Sequence, residues 1–384
     1  MIFADVVIVP CEDYLQEHVD EALAKVLEPI GGLSFVKPGM KVAIKANLVS
    51  FMKPQSAATT HPALLCSLVK MLINLGAEVT VGDSPGGLYN KLFVGKVYSA
   101  TGVYAVEELG GKLNWNFEQS EEHNDNALIA KDFLYTAYLK DFDAVIDFCK
   151  LKTHGMMAYS GAAKNLFGVI PGTVKPEYHF RYPNVMDFAN MIVDLDEFVK
   201  PVLSIIDGVV GMEGNGPTMG TPRQIGIIGA SLSPHKLDLA AAYIIGLRRE
   251  NVPTLQAAYE RGLIPASVKD MSINVDIDNF VIEDFKRIEN YNSIIFKNEL
   301  PGVLGKAFGG IVNKALCSVP VVSNATCIGC AKCEQICPAK AIHLRNNRPK
   351  IDRSQCIHCF CCQEFCPKGA LSVKRPIIAR ILNK

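Results

Sequence analysis

Short apolar runs alternate along the chain with stretches whose apolar residues recur at helical spacing. Residues 5–9, 41–49, 78–82, 144–148, 202–206 and 224–229 read as strands. Residues 14–30 place Leu15, Val19, Ala22, Leu23, Val26 and Leu27 on one helical face. A second helix covers residues 60–75, with Thr60 as N-cap, Pro62 in the first turn and Gly76 ending it. Further helices are expected around 184–198 and over 235–247, the latter with Ser233 and Pro234 at its cap. Residues 88–142 show no legible period. Strands alternating with helices predict an α/β domain over residues 1–285, a mostly parallel sheet with helices on both faces. Residues 286–322 read as a linker. Within it Val303, Leu304, Ala307, Phe308, Ile311, Val312, Ala315 and Leu316 form one apolar helical stripe, opposite Lys306, Asn313 and Lys314. Such a stripe suits a helix that packs the tail onto the body, or a membrane-surface or partner face.

A chain of 384 residues can bury a substantial core, and 49% hydrophobic against 20% charged residues excludes a disordered polymer. No uncharged apolar run reaches the roughly 18 residues of a membrane span, so no transmembrane span is expected. The start of the chain lacks a basic stretch and carries Asp5, which argues against a signal peptide. The zero net charge hides an asymmetry. From residue 323 onward there are 11 Lys and Arg against 3 Asp and Glu, so the tail is +8 and the body −8. Part of that excess offsets the charge of thiolate-ligated clusters, and the rest can dock an acidic electron donor or the body itself. No aromatic residues interleave with the basic ones, so no nucleic-acid partner is expected.

Of the 13 cysteines, Cys11, Cys66, Cys149, Cys317 and Cys361 are scattered without a disulfide-like pattern, which suits a reducing cytoplasm. The others fall into two runs. Cys327, Cys330, Cys333 and Cys337 precede Pro338, and Cys356, Cys359, Cys362 and Cys366 precede Pro367, 29 residues later. This is the bacterial two-cluster ferredoxin spacing, in which the fourth Cys of each run ligates the other cluster. It predicts a small α+β ferredoxin-like domain over residues 323–376 with two [4Fe–4S] clusters. Cys327, Cys330, Cys333 and Cys366 would hold one cluster, and Cys356, Cys359, Cys362 and Cys337 the other. Structural zinc favours two well-separated Cys pairs, which three close thiolates before a Cys-Pro do not form. His358, inside the second loop, tunes a cluster's surroundings at most. Cys361 is out of register and reads as a bystander or a spare ligand.

In open parallel sheets ligands bind beyond the carboxyl ends of the strands. Polar and Gly-rich segments at 45–47, 83–87, 150–154 and 207–217 all follow predicted strand ends, so they should converge on one crevice. Lys150, Lys152 and His154 share a face if the extended conformation persists, which favours an anionic ligand. His154 can serve as general acid or base there, or have a structural role. Lys164 and Asn165 lie between Gly161 and Gly168, where small residues permit close approach and Lys supplies a point charge for a phosphate or carboxylate. The spacing is not that of a Walker A loop, nor does Gly214-x-Gly216-x3-Gly220 match a dinucleotide-binding fingerprint. Asp83, Asp207 and Glu213 can bind a metal or orient the basic groups, and Asp83 equally suits an ordinary turn. His61 reads as first-turn structure near the same crevice.

These segments resemble the DUF362 family of iron–sulfur proteins, an α/β domain often followed by a double ferredoxin. The resemblance is carried by Lys45-x-Asn47, Thr60-His61-Pro62, Gly82-Asp83-Ser84-Pro85-Gly86 and Lys150-Leu-Lys-Thr-His154. Ser160-Gly-Ala-Ala-Lys164-Asn165-Leu-Phe-Gly168 and Gly211-Met-Glu213-Gly-Asn215-Gly-Pro217 complete it. It implies [4Fe–4S] binding and brings no agreed reaction. A more distant likeness to the lactate-racemase-like fold is one of fold alone. The combined expectation is an anaerobic-type cytoplasmic oxidoreductase. A ferredoxin- or flavodoxin-like donor would feed single electrons through the clusters to an anionic substrate or cofactor held by Lys45, Asn47, Asp83, Lys152, Asn165, Glu213 and Asn215. His154 or Lys164 would supply a proton. The alternatives are an electron-transfer protein or subunit whose α/β domain is a docking module, and a ligase- or transferase-like body with the clusters as redox sensor.

Overall fold

The computed structural model describes residues 4–288 and 318–374. In chain order the strands of the body are β1 (Val7–Pro10), β2 (Lys41–Ala46), β3 (Glu78–Gly82), β4 (Lys112–Leu113), β5 (Gln119–His123) and β6 (Asp132–Thr136). They continue with β7 (Ala144–His154), β8 (Ala158–Ser160), β9 (Leu203–Glu213) and β10 (Thr221–Ser231). Eight of them form one sheet in the order β1-β10-β9-β7-β2-β3-β4, with β8 folded back on β7. Strands β4, β3, β2, β7 and β9 run parallel, whereas β10 is antiparallel to both of its neighbours. The helices are α1 (Gln16–Leu27), α2 (Pro62–Asn74), α3 (Lys91–Thr101), α4 (Ala162–Leu166), α5 (Lys175–Arg181), α6 (Val185–Val199), α7 (Pro234–Ile244) and α8 (Pro253–Glu260).

The two-residue period of β2 shows why helices lie on both faces. Ile44 and Ala46 join the apolar cluster of α1 and α2, which holds Val19, Leu23, Leu64 and Leu68. Ala43 points the other way, into a cluster with Ala163, Phe188 and Ile192 from α4 and α6. The fold is thus the expected mostly parallel sheet covered on both faces, with a small separate sheet domain after it. In that tail β11 (Val319–Val322) pairs with β14 (Leu371–Lys374), and β12 (Ile342–Arg345) pairs with β13 (Arg348–Ile351), both antiparallel. Val319–Val322, read from sequence as linker, therefore belongs to the tail's fold. The stripe at 303–316 lies outside the described residues.

The structure departs from the sequence reading in three places. The Gly-rich stretch 207–213 is strand, not loop, because its glycines serve close strand packing. A Cβ on Gly211 would lie 2.4 Å from Ile225 Cδ1, and one on Gly208 would lie 2.8 Å from Ile227 Cγ1. The strand read at 224–229 pairs antiparallel, since β9 and β10 are joined by a short turn rather than a crossover helix. His61, not Thr60, caps α2, its Nδ1 accepting the Ala63 N–H at 3.2 Å. Thr60 is used between strands instead: its Oγ1 accepts the Asn47 N–H at 3.0 Å and donates to the Phe148 carbonyl at 2.7 Å.

Helix α4 begins at Gly161, which has no side chain to cap it, so the cap comes from α7. Asp238 accepts the N–H groups of Ala162 at 2.6 Å and Ala163 at 2.9 Å, and the Tyr159 hydroxyl at 3.0 Å. Burial pushes its carboxyl up to about 7, against the amides that favour its charge. Replacing Asp238 by Ala orphans three buried donors, and a loss of about 3 kcal/mol of unfolding free energy is expected. Asp238→Asn keeps one acceptor and should lose about half as much. Chemical denaturation followed by circular dichroism ranks the three proteins, and an Ala variant as stable as wild type would refute the capping role.

Candidate functional site

The carboxyl ends of β2, β3 and β7 and the start of α4 meet in a buried polar knot. Lys45 Nζ donates to Asn165 Oδ1 at 3.1 Å and pairs with Asp83 Oδ1 at 2.9 Å. Asn47 Nδ2 donates to the same Asn165 oxygen at 2.7 Å, and Asn47 Oδ1 accepts from Lys152 Nζ at 2.6 Å. Asn165 Nδ2 donates to the Lys45 carbonyl at 3.2 Å and to Asp147 Oδ1 at 2.7 Å. Asp83 Oδ2 accepts the Leu48 N–H at 2.8 Å. Strand β7 stays extended through His154, so Lys150, Lys152 and His154 alternate with the buried Leu151 and Thr153. They do not act as one cluster. Lys150 turns to a second knot, pairing with Asp207 Oδ2 at 2.7 Å and donating to the Tyr14 hydroxyl at 2.8 Å. His61 belongs to that knot, stacked on Tyr14 with ring centroids 3.6 Å apart.

A cavity of about 670 Å³ opens beside the first knot, between body and tail. Asn47, Asp83, Lys152, His154, Lys164 and Asn165 line it from the body, and Cys361, Glu364, Phe365 and Cys366 line it from the tail. Glu213 and Asn215 do not line it. Glu213 pairs with Lys286 Nζ at 3.2 Å, and Asn215 holds the tail. Sequence reasoning passed over Lys175, His179 and Glu364, all on the wall. Glu364 carried one available signal, as one of only three acids in the basic tail.

The lysines on this wall differ in their partners. Burial, opposed by Asp83 and Glu364, brings Lys152 down to about 7, and burial does the same for Lys175, which donates to the Ser84 carbonyl. Lys164 is 9% exposed and has no hydrogen-bond partner among the described residues. Its ammonium sits 4.2 Å from the Phe167 ring centroid and 5.6 Å from that of Phe188. Burial lowers its pKa, against the attraction of Glu364. His179 stacks on Phe188 and is pushed by burial to about 3, so it is neutral at pH 7. His154 Nδ1 accepts the N–H groups of Met156 at 3.1 Å and Met157 at 3.2 Å, which leaves Nε2 to face Glu364 Oε1 at 3.1 Å.

The tail is seated on the body by buried contacts. Phe360 is buried in the same apolar cluster as Phe167 and Phe188. Gln363 Nε2 donates to the carbonyls of Asn215 at 3.1 Å and Gly216 at 3.2 Å, and to Asn215 Oδ1 at 3.0 Å. Gly155 allows this approach, since a Cβ there would lie 2.9 Å from Gln363 Oε1.

The tail's thiols fit iron–sulfur ligation. Cys337, Cys356, Cys359 and Cys362 line one small cavity whose other walls are apolar, among them Pro320, Pro338 and Phe360. Cys330 is exposed, Cys327 and Cys366 are half-buried and Cys333 is buried. The two halves repeat one backbone. Gly329 and His358 both have positive φ, as do Ala331 and Phe360 immediately before the two short helices Lys332–Ile336 and Cys361–Glu364. The Ala341 N–H donates to Cys337 Sγ and the Ala370 N–H to Cys366 Sγ, each at 3.2 Å. Among the described residues no three His, Cys, Asp or Glu converge as ligands of a single ion. Thiolates at the corners of a cube stand farther apart than that.

Gln363→Ala leaves buried carbonyls without a donor, at a cost of about 1–3 kcal/mol confined to the seat. Hydrogen exchange should speed up at residues 213–217 and 360–374 and stay unchanged in the central strands. A uniform change across the chain would contradict this picture.

Among the described residues no helix is long and apolar enough to cross a membrane. A family model described as "Domain of unknown function (DUF362)" matches residues 42–243, and one for a 4Fe-4S dicluster domain matches residues 319–367. The thylakoid-associated protein sll1697 of Synechocystis sp. is 30% identical over 295 residues, covering 75% of this chain and 88% of that protein. The lactate racemase apoprotein from Thermoanaerobacterium thermosaccharolyticum superposes with a TM-score of 0.42 at 11% identity, over 64% of this chain and 58% of that one. The knot residues Lys45, Asn47, Asp83, Lys152 and Asn165 all fall within the first match, and both Cys-Pro runs start within the second. The chain belongs to the DUF362 family and carries a 4Fe-4S dicluster domain in its tail.

Proposed function

We propose that the chain is an iron–sulfur oxidoreductase that passes single electrons through two [4Fe–4S] clusters to an anionic small molecule in the crevice. The observation that carries this reading is the shared wall: one cavity is lined both by Cys366, of the first expected ligand set, and by Lys152, Lys164 and Lys175. The clusters supply one-electron chemistry when bound, and Cys366 on the shared wall places it at the ligand's cavity. Cys327, Cys330, Cys333 and Cys366 hold one cluster, and Cys337, Cys356, Cys359 and Cys362 the other. Lys152, Lys164 and Lys175 neutralise the anion, while Lys45, Asn47, Asp83 and Asn165 fix the position of Lys152 and of α4. Of the two candidate proton donors, Lys164 is favoured, because both ring nitrogens of His154 are already engaged. His154 then positions Glu364. The exposed Lys332, Lys340, Arg345, Lys350, Arg353 and Lys368 of the tail suit an acidic ferredoxin- or flavodoxin-like donor. No two cysteines among the described residues form a disulfide, which suits a reducing cytoplasm.

Native mass spectrometry of anaerobically purified protein tests the reading. Two [4Fe–4S] increments and a further small mass, absent from a Lys164→Ala variant, are expected. Two clusters and no further mass in either sample would favour the docking-module alternative. Affinity for the copurified anion should also fall with pH. Lys152 and Lys175 have values near 7, below the ordinary lysine range, and a bound anion favours their ammonium forms. Binding is therefore full below pH 7 and weakens above it, by up to about tenfold per pH unit for each lysine that must take up a proton. An affinity flat from pH 6 to pH 9 would exclude both lysines from the anion site.

A further inference from the structure

The charges on the cavity wall can be counted. Asp83 is cancelled by Lys45 behind it, at 2.9 Å. Lys152, Lys164 and Lys175 have no carboxylate within ion-pair distance among the described residues, and only Glu364 stands on the wall against them. With all three lysines protonated, the buried end carries an excess of two positive charges over its negative ones. An isolated ammonium is costly to bury, and Lys164 is nine-tenths buried without a hydrogen-bond partner among the described residues. A ligand has to supply what the protein withholds.

Another part of the cavity wall is apolar and more exposed. Phe51, Leu88 and Met219 line it while 44%, 57% and 39% exposed, respectively. Phe93 and Phe365 complete this wall, with Phe93 packed on Phe51 at a ring-centroid distance of 4.7 Å. A volume of about 670 Å³ is far more than a bare oxyanion needs and lies in the range that encloses whole small molecules.

We infer that the crevice takes a dianion with an apolar body, a phosphate monoester or a dicarboxylate, its charged end at Lys152, Lys164 and Lys175 and its apolar part along Phe51, Phe93 and Phe365. This rests on the reading of the crevice as a small-molecule site and needs no electron transfer. The two sources share one chemistry, two charges on one end of an amphipathic molecule.

Calorimetry on the anaerobic, cluster-loaded protein at pH 7 tests it with four probes: phenyl phosphate, phenylsuccinate, benzoate and inorganic phosphate. At least one aryl dianion should bind about tenfold or more tighter than benzoate and than inorganic phosphate, a difference of about 1.4 kcal/mol. Phenyl phosphate in the lead marks a phosphate monoester, and phenylsuccinate in the lead marks a dicarboxylate. Lys164→Met should weaken the leading dianion about tenfold, and Phe51→Ser should weaken it without affecting inorganic phosphate. If Lys164→Met lacks wild-type iron–sulfur absorbance, Lys175→Met takes its place. Benzoate binding as tightly as both dianions, or dianion binding untouched by the lysine variant, overturns the inference. Dithionite-reduced protein separates this failure from failure of the redox reading. Dianions that bind while no acceptor reoxidises the clusters remove the redox function and leave this inference standing. Reoxidation by a cavity-bound acceptor that no dianion displaces does the reverse.

Discussion

Everything at the crevice depends on one fully used side chain, the amide of Asn165. Its oxygen accepts from Lys45 and Asn47, and its nitrogen donates to the Lys45 carbonyl and to Asp147. That amide ties the end of β2 to β7 and to the first turn of α4, which brings Lys164 to the wall. A buried network of this kind is worth having only when every member is satisfied, because a missing partner leaves a polar group stranded in a low dielectric. Lys45 with Asp83, and Lys152 with Asn47, extend the same logic outward. Two groups stay outside this partnering among the described residues: Asp147 Oδ2, buried without a hydrogen bond, and Lys164, which faces the cavity.

The tail completes the site. Phe360 sinks into the apolar cluster of α6, Gln363 satisfies carbonyls of the β9–β10 turn, and Glu364 faces His154 across the seam. An apolar anchor and a set of directional bonds do different work here. The first supplies most of the free energy of contact, and the second sets the orientation. The result is that Cys366 and the body's lysines look into one space.

Much of this was legible in the residues. The helical stripes of α1, α2, α6 and α7 and the apolar runs of the parallel strands were clear, because each element buries one regular face. The convergence of Lys45, Asn47, Asp83 and Lys152 followed from the rule that ligands gather beyond strand ends, and Asn165 was read from the glycines around it. The stretch 207–213 misled, since Gly and Asp mark turns in most chains and here serve close packing between strands. Residues 88–142 were opaque because a mixture of short helices, a two-residue strand and a peripheral hairpin has no long period. Lys175 could not be read at all, and Glu364 only as one of three acids in a basic tail. One lies in a short helix with no strand before it, and the other comes from a module whose seat on the body depends on tertiary contacts alone.

The side chains of Glu364 and Phe365 belong to the tail, yet they form part of the wall around whatever the body binds. Two modules that look separable in sequence therefore share one pocket. A body fitted with a different ferredoxin would keep its lysines and lose a wall. In such a protein the dicluster domain is also part of the pocket. Changes in one module constrain those allowed in the other, and the pair inherits its specificity as a single unit.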